Sequence, residues 1–211
     1  MNQVTTPTAR AEAEAGPRYG EMGGKGRGIF EKYGWAIDAL RKATRLLPRR
    51  FYASTYFIFD AAPGTVGMFF RYLYACRLTK ACGMNVTIGK RVTVKDWSGL
   101  SIGDNVAIHT GVYIDATGGV SIGDNSSIGH YASLLSFDHT WDDPTTPMKY
   151  NRLRFEPIEI GSDVLVFAAA RVLAGARIQS RTLLGANSIV RRGVYTSGLY
   201  AGVPAKLVKA F

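Results

Sequence analysis

The sequence predicts a mainly β protein: a three-sided parallel solenoid of hexapeptide repeats, preceded by a helical segment. Three observations carry this. Aliphatic residues recur in three columns: Cys82, Ile102, Ile122, Ile160 and Ile178; Ile88, Ile108, Ile128, Val166 and Leu184; Val94, Ile114, Leu134, Val172 and Val190. Members of successive columns lie six residues apart within a coil, and small or β-branched residues such as Val106, Val112, Ala170 and Thr182 follow four positions after them. The pattern then resets, eighteen residues on between Ile160 and Ile178. A chain that buries one aliphatic every six residues must stack its coils, because one coil cannot bury its own apolar face. Glycines directly after column residues, at 89, 103, 123, 129, 161 and 185, are expected at corners that need a positive φ.

In chain order, residues 1–28, rich in Gly, Ala and Glu with G-G-K-G-R-G at 23–28, read as a disordered tail. Residues 29–80 read as helical: Ile29, Tyr33, Ile37, Leu40 and Leu47 approximate a helical stripe, and Phe51–Leu78 is crowded with aromatic rings. Asp60, Pro63, Gly64 and Gly67 break the best candidate for a membrane span. Of the +10 net charge, residues 1–85 carry 13 Lys/Arg against 6 Asp/Glu, and 86–211 carry 13 against 10. The excess therefore sits upstream of the repeat. A basic, aromatic segment at 29–78 suits peripheral contact with an anionic membrane. Helices that close the base of the solenoid or pack between subunits explain the same residues, and are the preferred expectation. No recognition motif accompanies the charge, so nucleic acid is not expected as a partner. Cys76 and Cys82 make no disulfide framework and no secretion signal is visible; the expected location is the cytoplasm, at most at the inner face of the membrane.

The repeat occupies 81–211, ending in a short tail. Its first two coils take twenty residues, the extra pair falling after the third column. After Leu134, at the same corner, an insertion at 136–157 intervenes before Ile160 resumes the pattern. It carries Asp138, His139, Trp141, Asp142, Asp143, Lys149, Arg152 and Arg154. A long polar excursion from a rigid solenoid is a usual place for function.

S-I-G-D-N at 101–105 and 121–125, S-F-D-H-T-W-D-D-P at 136–144, P-I-E-I-G at 157–161, L-G-A-N-S-I-V at 184–190 and A-G-V-P-A-K at 201–206 resemble the hexapeptide-repeat acyltransferases. The similarity is to the branch of bacterial sugar O-acetyltransferases acting on galactosides, maltose or polysaccharide precursors, and it covers roughly 82–211. It implies a left-handed parallel β-helix, a homotrimer with sites between adjacent solenoids, acetyl-CoA as donor and a sugar or glycoside hydroxyl as acceptor. His139 stands at the family's catalytic histidine. Family register sets Ala168 and Ala186 along the pantetheine arm, with Arg191, Arg192, Lys206 and Lys209 around the phosphates. His109 takes a position where relatives place a substrate-binding carboxamide; Trp141 and Lys95 are further expected acceptor contacts. Two departures stand out: relatives usually read V-W-I-G where this chain has Val164-Leu165-Val166-Phe167.

The chemistry agrees with these positions. A sugar hydroxyl is a poor nucleophile at neutral pH, so a base must take its proton as it attacks the thioester. Imidazole suits that task, with a typical gain of ~10²–10⁴-fold. Backbone N–H groups usually stabilise the tetrahedral oxyanion. Asp138, Asp142, Asp143 or a backbone carbonyl could orient the ring. His109, His130 and His139, spaced 21 and 9 apart, lack the close pair of a solenoid zinc site, so no metal is expected. A serine O-acetyltransferase is suggested by I-D-A-T-G at 114–118, but Ala116 replaces that family's histidine. An N-acetyltransferase on an amino-sugar and a non-catalytic, structural or membrane-bound solenoid remain as alternatives.

Overall fold

In the computed structural model, which describes residues 25–211 with side chains from Lys32 onward, three helices precede about six stacked coils. The helices are α1 (Lys25–Ala43), α2 (Arg49–Asp60) and α3 (Gly64–Leu78). The tail expected at 1–28 lies outside the described residues as far as 24, and its last four residues already belong to α1.

The coils stack in the anticipated register. On the first face Cys82 pairs with Ile102, Ile102 with Ile122, Ile122 with Ile160, Ile160 with Ile178, and Ile178 with Tyr195. The second face runs Ile88, Ile108, Ile128, Val166, Leu184, Tyr200, and the third Val94, Ile114, Leu134, Val172, Val190. Ile160 lies directly over Ile122, so the insertion leaves the stack undisturbed. A further inward line was not anticipated: Leu100, Val120 and Ile158, two residues before the first column, are mutually paired and buried. Each such aliphatic contributes about 1.5–3 kcal/mol on burial.

The corners differ from expectation. Positive φ falls three residues after the column residue, on Asn85, Asn105, Asn125, Asp163 and Arg181 at the first corner. At the second corner it falls on Arg91, Gly111, Tyr131, Ala169 and Asn187. The glycines at 89, 103, 123, 129, 161 and 185 are not among these. Close packing selects them instead: a Cβ on Gly123 would lie 2.6 Å from the Gly161 carbonyl carbon, and one on Gly129 2.7 Å from the Val166 oxygen.

The helices close the base. Ile37, Tyr72 and Ala75 pack into the core beneath the first coil, whereas Tyr33, Leu40 and Leu47 of the expected stripe stay about half exposed. The first coil presents carbonyls with no strand below them, and long side chains from the helices supply donors. Buried Arg71 donates Nε to the Ile88 oxygen at 2.8 Å and Nη1 to the Phe59 and Ala62 oxygens at 2.9 Å each. Tyr72 donates to the Gly83 oxygen at 3.1 Å, and Arg41 Nη2 to the Cys82 oxygen at 2.8 Å. At the opposite end Lys206–Ala210 folds back antiparallel on Gly198–Ala201. The thiols of Cys76 and Cys82 are free and 3.4 Å apart. No helix among the described residues is long and apolar enough to cross a membrane.

Candidate active site

The insertion is a stiff arm. Phe137–His139 pairs antiparallel with Leu153–Phe155, His139 lying opposite Leu153. At the root, buried Ser136 donates its Oγ (2.7 Å) and its N–H (3.1 Å) to the Asp115 carbonyl, and Glu156 donates its N–H to the Ser136 oxygen at 3.0 Å. At the tip, Thr140 donates through both N–H and Oγ1 to the Arg152 oxygen at 2.9 Å, and buried Asn151 donates to the carbonyls of Asp143 (3.2 Å) and Thr146 (2.8 Å).

Strand alternation puts Phe137 and His139 on one face and Asp138 on the other. The two rings meet edge to face, 5.9 Å between centroids. His139 is exposed, and its ring makes no hydrogen bond or ion pair among the described residues. Asp138 turns to Arg154, 3.4 Å away. Asp143 accepts from the Thr145 and Thr146 hydroxyls at 2.6 Å each, which lowers its pKa to about 2. Two of the three candidate orienting carboxylates are therefore committed elsewhere. Asp142 lines a cleft of about 550 Å³ at the tip with Thr140, Tyr150 and Arg152. Trp141 is 68% exposed.

Beneath the arm lies an ion pair that the sequence reading did not foresee. Lys95, expected as an acceptor contact, has its ammonium 3.1 Å from Asp115 Oδ2 and 5.0 Å from the centre of the Phe137 ring. The Asp115 side chain is 1% exposed and that of Lys95 59%. Burial alone would raise the Asp115 pKa. The hydroxyl and N–H of Thr117 (2.6 and 3.1 Å) and the Lys95 cation overcome that and hold it below its ordinary value.

The second corner carries the expected donor positions. Asn187 N–H donates to the Ala168 oxygen at 3.0 Å, bringing Ala168 and Ala186 onto successive coils. Lys206 pairs with Ala201, whose Cβ closes on Gly185. Ala168, Ala186 and Lys206 thus follow one exposed edge, with Phe167, 45% exposed, beside it. Lys209 lies on the same terminal strand, opposite Leu199. Below Ala168 stand His109 and His130, ring centroids 4.7 Å apart. His109 Nε2 lies 3.1 Å from Ser127 Oγ; desolvation first, then His130, lowers its pKa. No third His, Cys, Asp or Glu gathers with them among the described residues.

Arg191 and Arg192 are elsewhere, one and two residues past Val190 at the third corner. Arg192 is ion-paired with Glu156 at the arm root, and Glu156 also meets Arg154 at 3.6 Å. A cleft of about 310 Å³ there is lined by Phe137, Arg154, Leu173, Arg191 and Arg192. Sequence reasoning missed Ser136 and Glu156 because their partners lie 21 and 36 residues away.

Comparison with known proteins agrees with this architecture. The model of the hexapeptide repeat of succinyl-transferase matches residues 82–116. A Mycobacterium tuberculosis protein, provisionally named as an acetyltransferase, is 34% identical over 76 residues, 36% of this chain and 25% of that protein. An Escherichia coli protein, provisionally named as a lipopolysaccharide biosynthesis O-acetyl transferase, is 33% identical over 78 residues, 36% of this chain and 40% of that one. The matched stretches span well under half the length of either relative. A hexapeptide-repeat acetyltransferase of Vibrio cholerae, solved with acetyl coenzyme A, shares the fold with a TM-score of 0.67 at 21% identity, over 83% of this chain and 88% of that one.

Proposed function

We infer that this chain, a member of the hexapeptide-repeat acyltransferase family, moves an acetyl group from acetyl-CoA to a hydroxyl of a sugar or sugar-like acceptor, with His139 as general base. The observation that carries this reading is an exposed imidazole, with no hydrogen bond or ion pair among the described residues, on an arm braced at root and tip. The acetyl-CoA of the Vibrio cholerae structure supports the donor, and the name of the Escherichia coli relative supports an O-linked acceptor.

His139 takes the acceptor's proton as its oxygen attacks the thioester carbonyl carbon. A backbone N–H holds the oxyanion. Collapse breaks the carbon–sulfur bond, and the departing thiolate receives the proton from the imidazolium. Ala168 and Ala186, carrying no side chain beyond Cβ, leave room for the pantetheine arm, and Lys206 supplies a cation for its phosphates. Arg192 is spoken for by Glu156 and is left out of that role. The arm leaves the third corner while the donor edge follows the second. We therefore propose a homotrimer in which one chain's His139 serves its neighbour's edge, a stoichiometry that sedimentation measures directly.

The test is His139→Ala under saturating acetyl-CoA. Turnover should fall by roughly 10²-fold or more, with coenzyme A affinity and melting temperature near wild type, because the lost proton transfer belongs to the transition state. Near-wild-type turnover would end this mechanism and favour an amine acceptor, which needs no base to become nucleophilic.

A further inference from the structure

A strongly basic feature lies away from the arm, in the helical base. A cleft of about 280 Å³ opens between α1, the turn after it and the end of α3. Its lining includes Arg41, Lys42, Arg45, Arg49, Arg77 and Lys80, against the single carboxylate of Asp38. That carboxylate is already taken by Lys42 at 2.8 Å. Arg41 and Arg49 spend donors on the Cys82 and Leu78 carbonyls. The side chains of Arg45 and Lys80 have no hydrogen bond or ion pair among the described residues, and Arg77 Nε is buried without a partner. Cations gathered this closely repel one another unless an anion joins them.

The rim identifies the anion's surroundings. In the chain between and just after the lining residues Arg45 and Arg49, Leu46 is 85% exposed, and Leu47 and Phe51 are each 44% exposed. A small soluble anion gains nothing from bare leucines, whereas a lipid surface takes cations at its headgroups and apolar side chains just beneath. The volume exceeds several times the roughly 30 Å³ of a water molecule, enough for a phosphate bearing its substituents.

We propose that this cleft and its leucine rim bind phosphate headgroups of an anionic phospholipid bilayer, docking the helical base on a membrane. The reading is independent of the acetyl-transfer mechanism. Its test is co-sedimentation of the full chain with phosphatidylcholine vesicles and with vesicles in which part of that lipid is replaced by phosphatidylglycerol. Binding is expected to the anionic vesicles alone and to weaken with salt. Each cation removed should cost about fivefold, so Arg45→Glu with Lys80→Glu should weaken binding by at least ~20-fold. Leu46→Ser should weaken it several-fold through lost insertion. Circular dichroism and transfer to a soluble acceptor should stay at wild-type level in these variants. Equal binding to neutral and anionic vesicles, or undiminished binding by the charge-reversed variant, would overturn the proposal. So would calorimetric binding of glycerol 3-phosphate without vesicle binding, which would assign the cleft to a soluble phosphate. Failure to bind anionic vesicles at all, as when a second copy covers the cleft, would also overturn it.

Discussion

Replacing Lys95 by Ala should destabilise the protein far more than loss of a surface ion pair normally does, and only while Asp115 is ionised. Exposed pairs contribute about 0.2–1 kcal/mol, and removal of one partner from a buried pair costs about 3–5 kcal/mol. This pair lies between, with a side chain 59% exposed facing one 1% exposed. The Thr117 hydroxyl and N–H remain to hold Asp115 Oδ1, so a cost of about 1–3 kcal/mol follows. For a chain of this length that is a melting-temperature drop of roughly 3–10 °C at neutral pH. The pH dependence gives the sharper signature. Asp115 has a lowered folded-state pKa, so its contribution is full above the unfolded value near ~3.9 and lost as pH falls through the folded one. Once the carboxyl is protonated, Lys95 has nothing to attract in either state. The melting-temperature gap between wild type and Lys95→Ala should therefore close below about pH 4. The assay is thermal unfolding by circular dichroism across pH 3–8. A gap that stays constant with pH, or that never exceeds about one degree, would refute the electrostatic account.

Four further outcomes follow from corner and edge geometry. Gly123→Ala should be among the most damaging small changes, because its Cβ would be driven to 2.6 Å from the next coil, whereas Ala169→Gly should stabilise by up to about 1 kcal/mol by relieving a φ of +59°; chemical denaturation compares them. Lys206→Ala should raise the KM for acetyl-CoA several-fold, whereas Arg192→Ala should leave it nearly unchanged and instead increase proteolysis of the arm, whose root it ties to Glu156.

The solenoid was legible because its interior admits one aliphatic per six residues, so Ile102, Ile122 and Ile160 reveal their stacking through spacing alone. Corners were less so. Left-handed backbone is tolerated by Asn105 and Asn125 but also occupied by Arg181 and Tyr131, whose side chains give no warning of it. Glycines beside the columns are ambiguous in sequence, since contact between coils leaves the same mark there as a positive φ. His139 was legible as a polar residue in an excursion from the repeat. What surrounds it was less so: Lys95 and Asp115 follow the paired column residues Val94 and Ile114, so spacing implies that they adjoin but not that Asp115 is buried there, and Arg192 meets Glu156 across thirty-six residues that include the insertion, which no repeat pattern encodes. Ala168, Ala186 and Lys206 fall along one exposed edge, while Arg191 and Arg192 stand at another corner.

The two ends of the stack bear on how copies of this chain can meet. A parallel coil is an open template that could accept another coil above or below, and a solenoid with bare ends could grow into a fibre. Here the lower rim is occupied by guanidinium and hydroxyl donors from α1 and α3. The upper one is turned back on itself by a strand whose outward side chains include Lys206 and Lys209. Axial polymerisation is thereby disfavoured at both poles. The flanks, where the arm and the small-residue edge lie, carry neither of these caps.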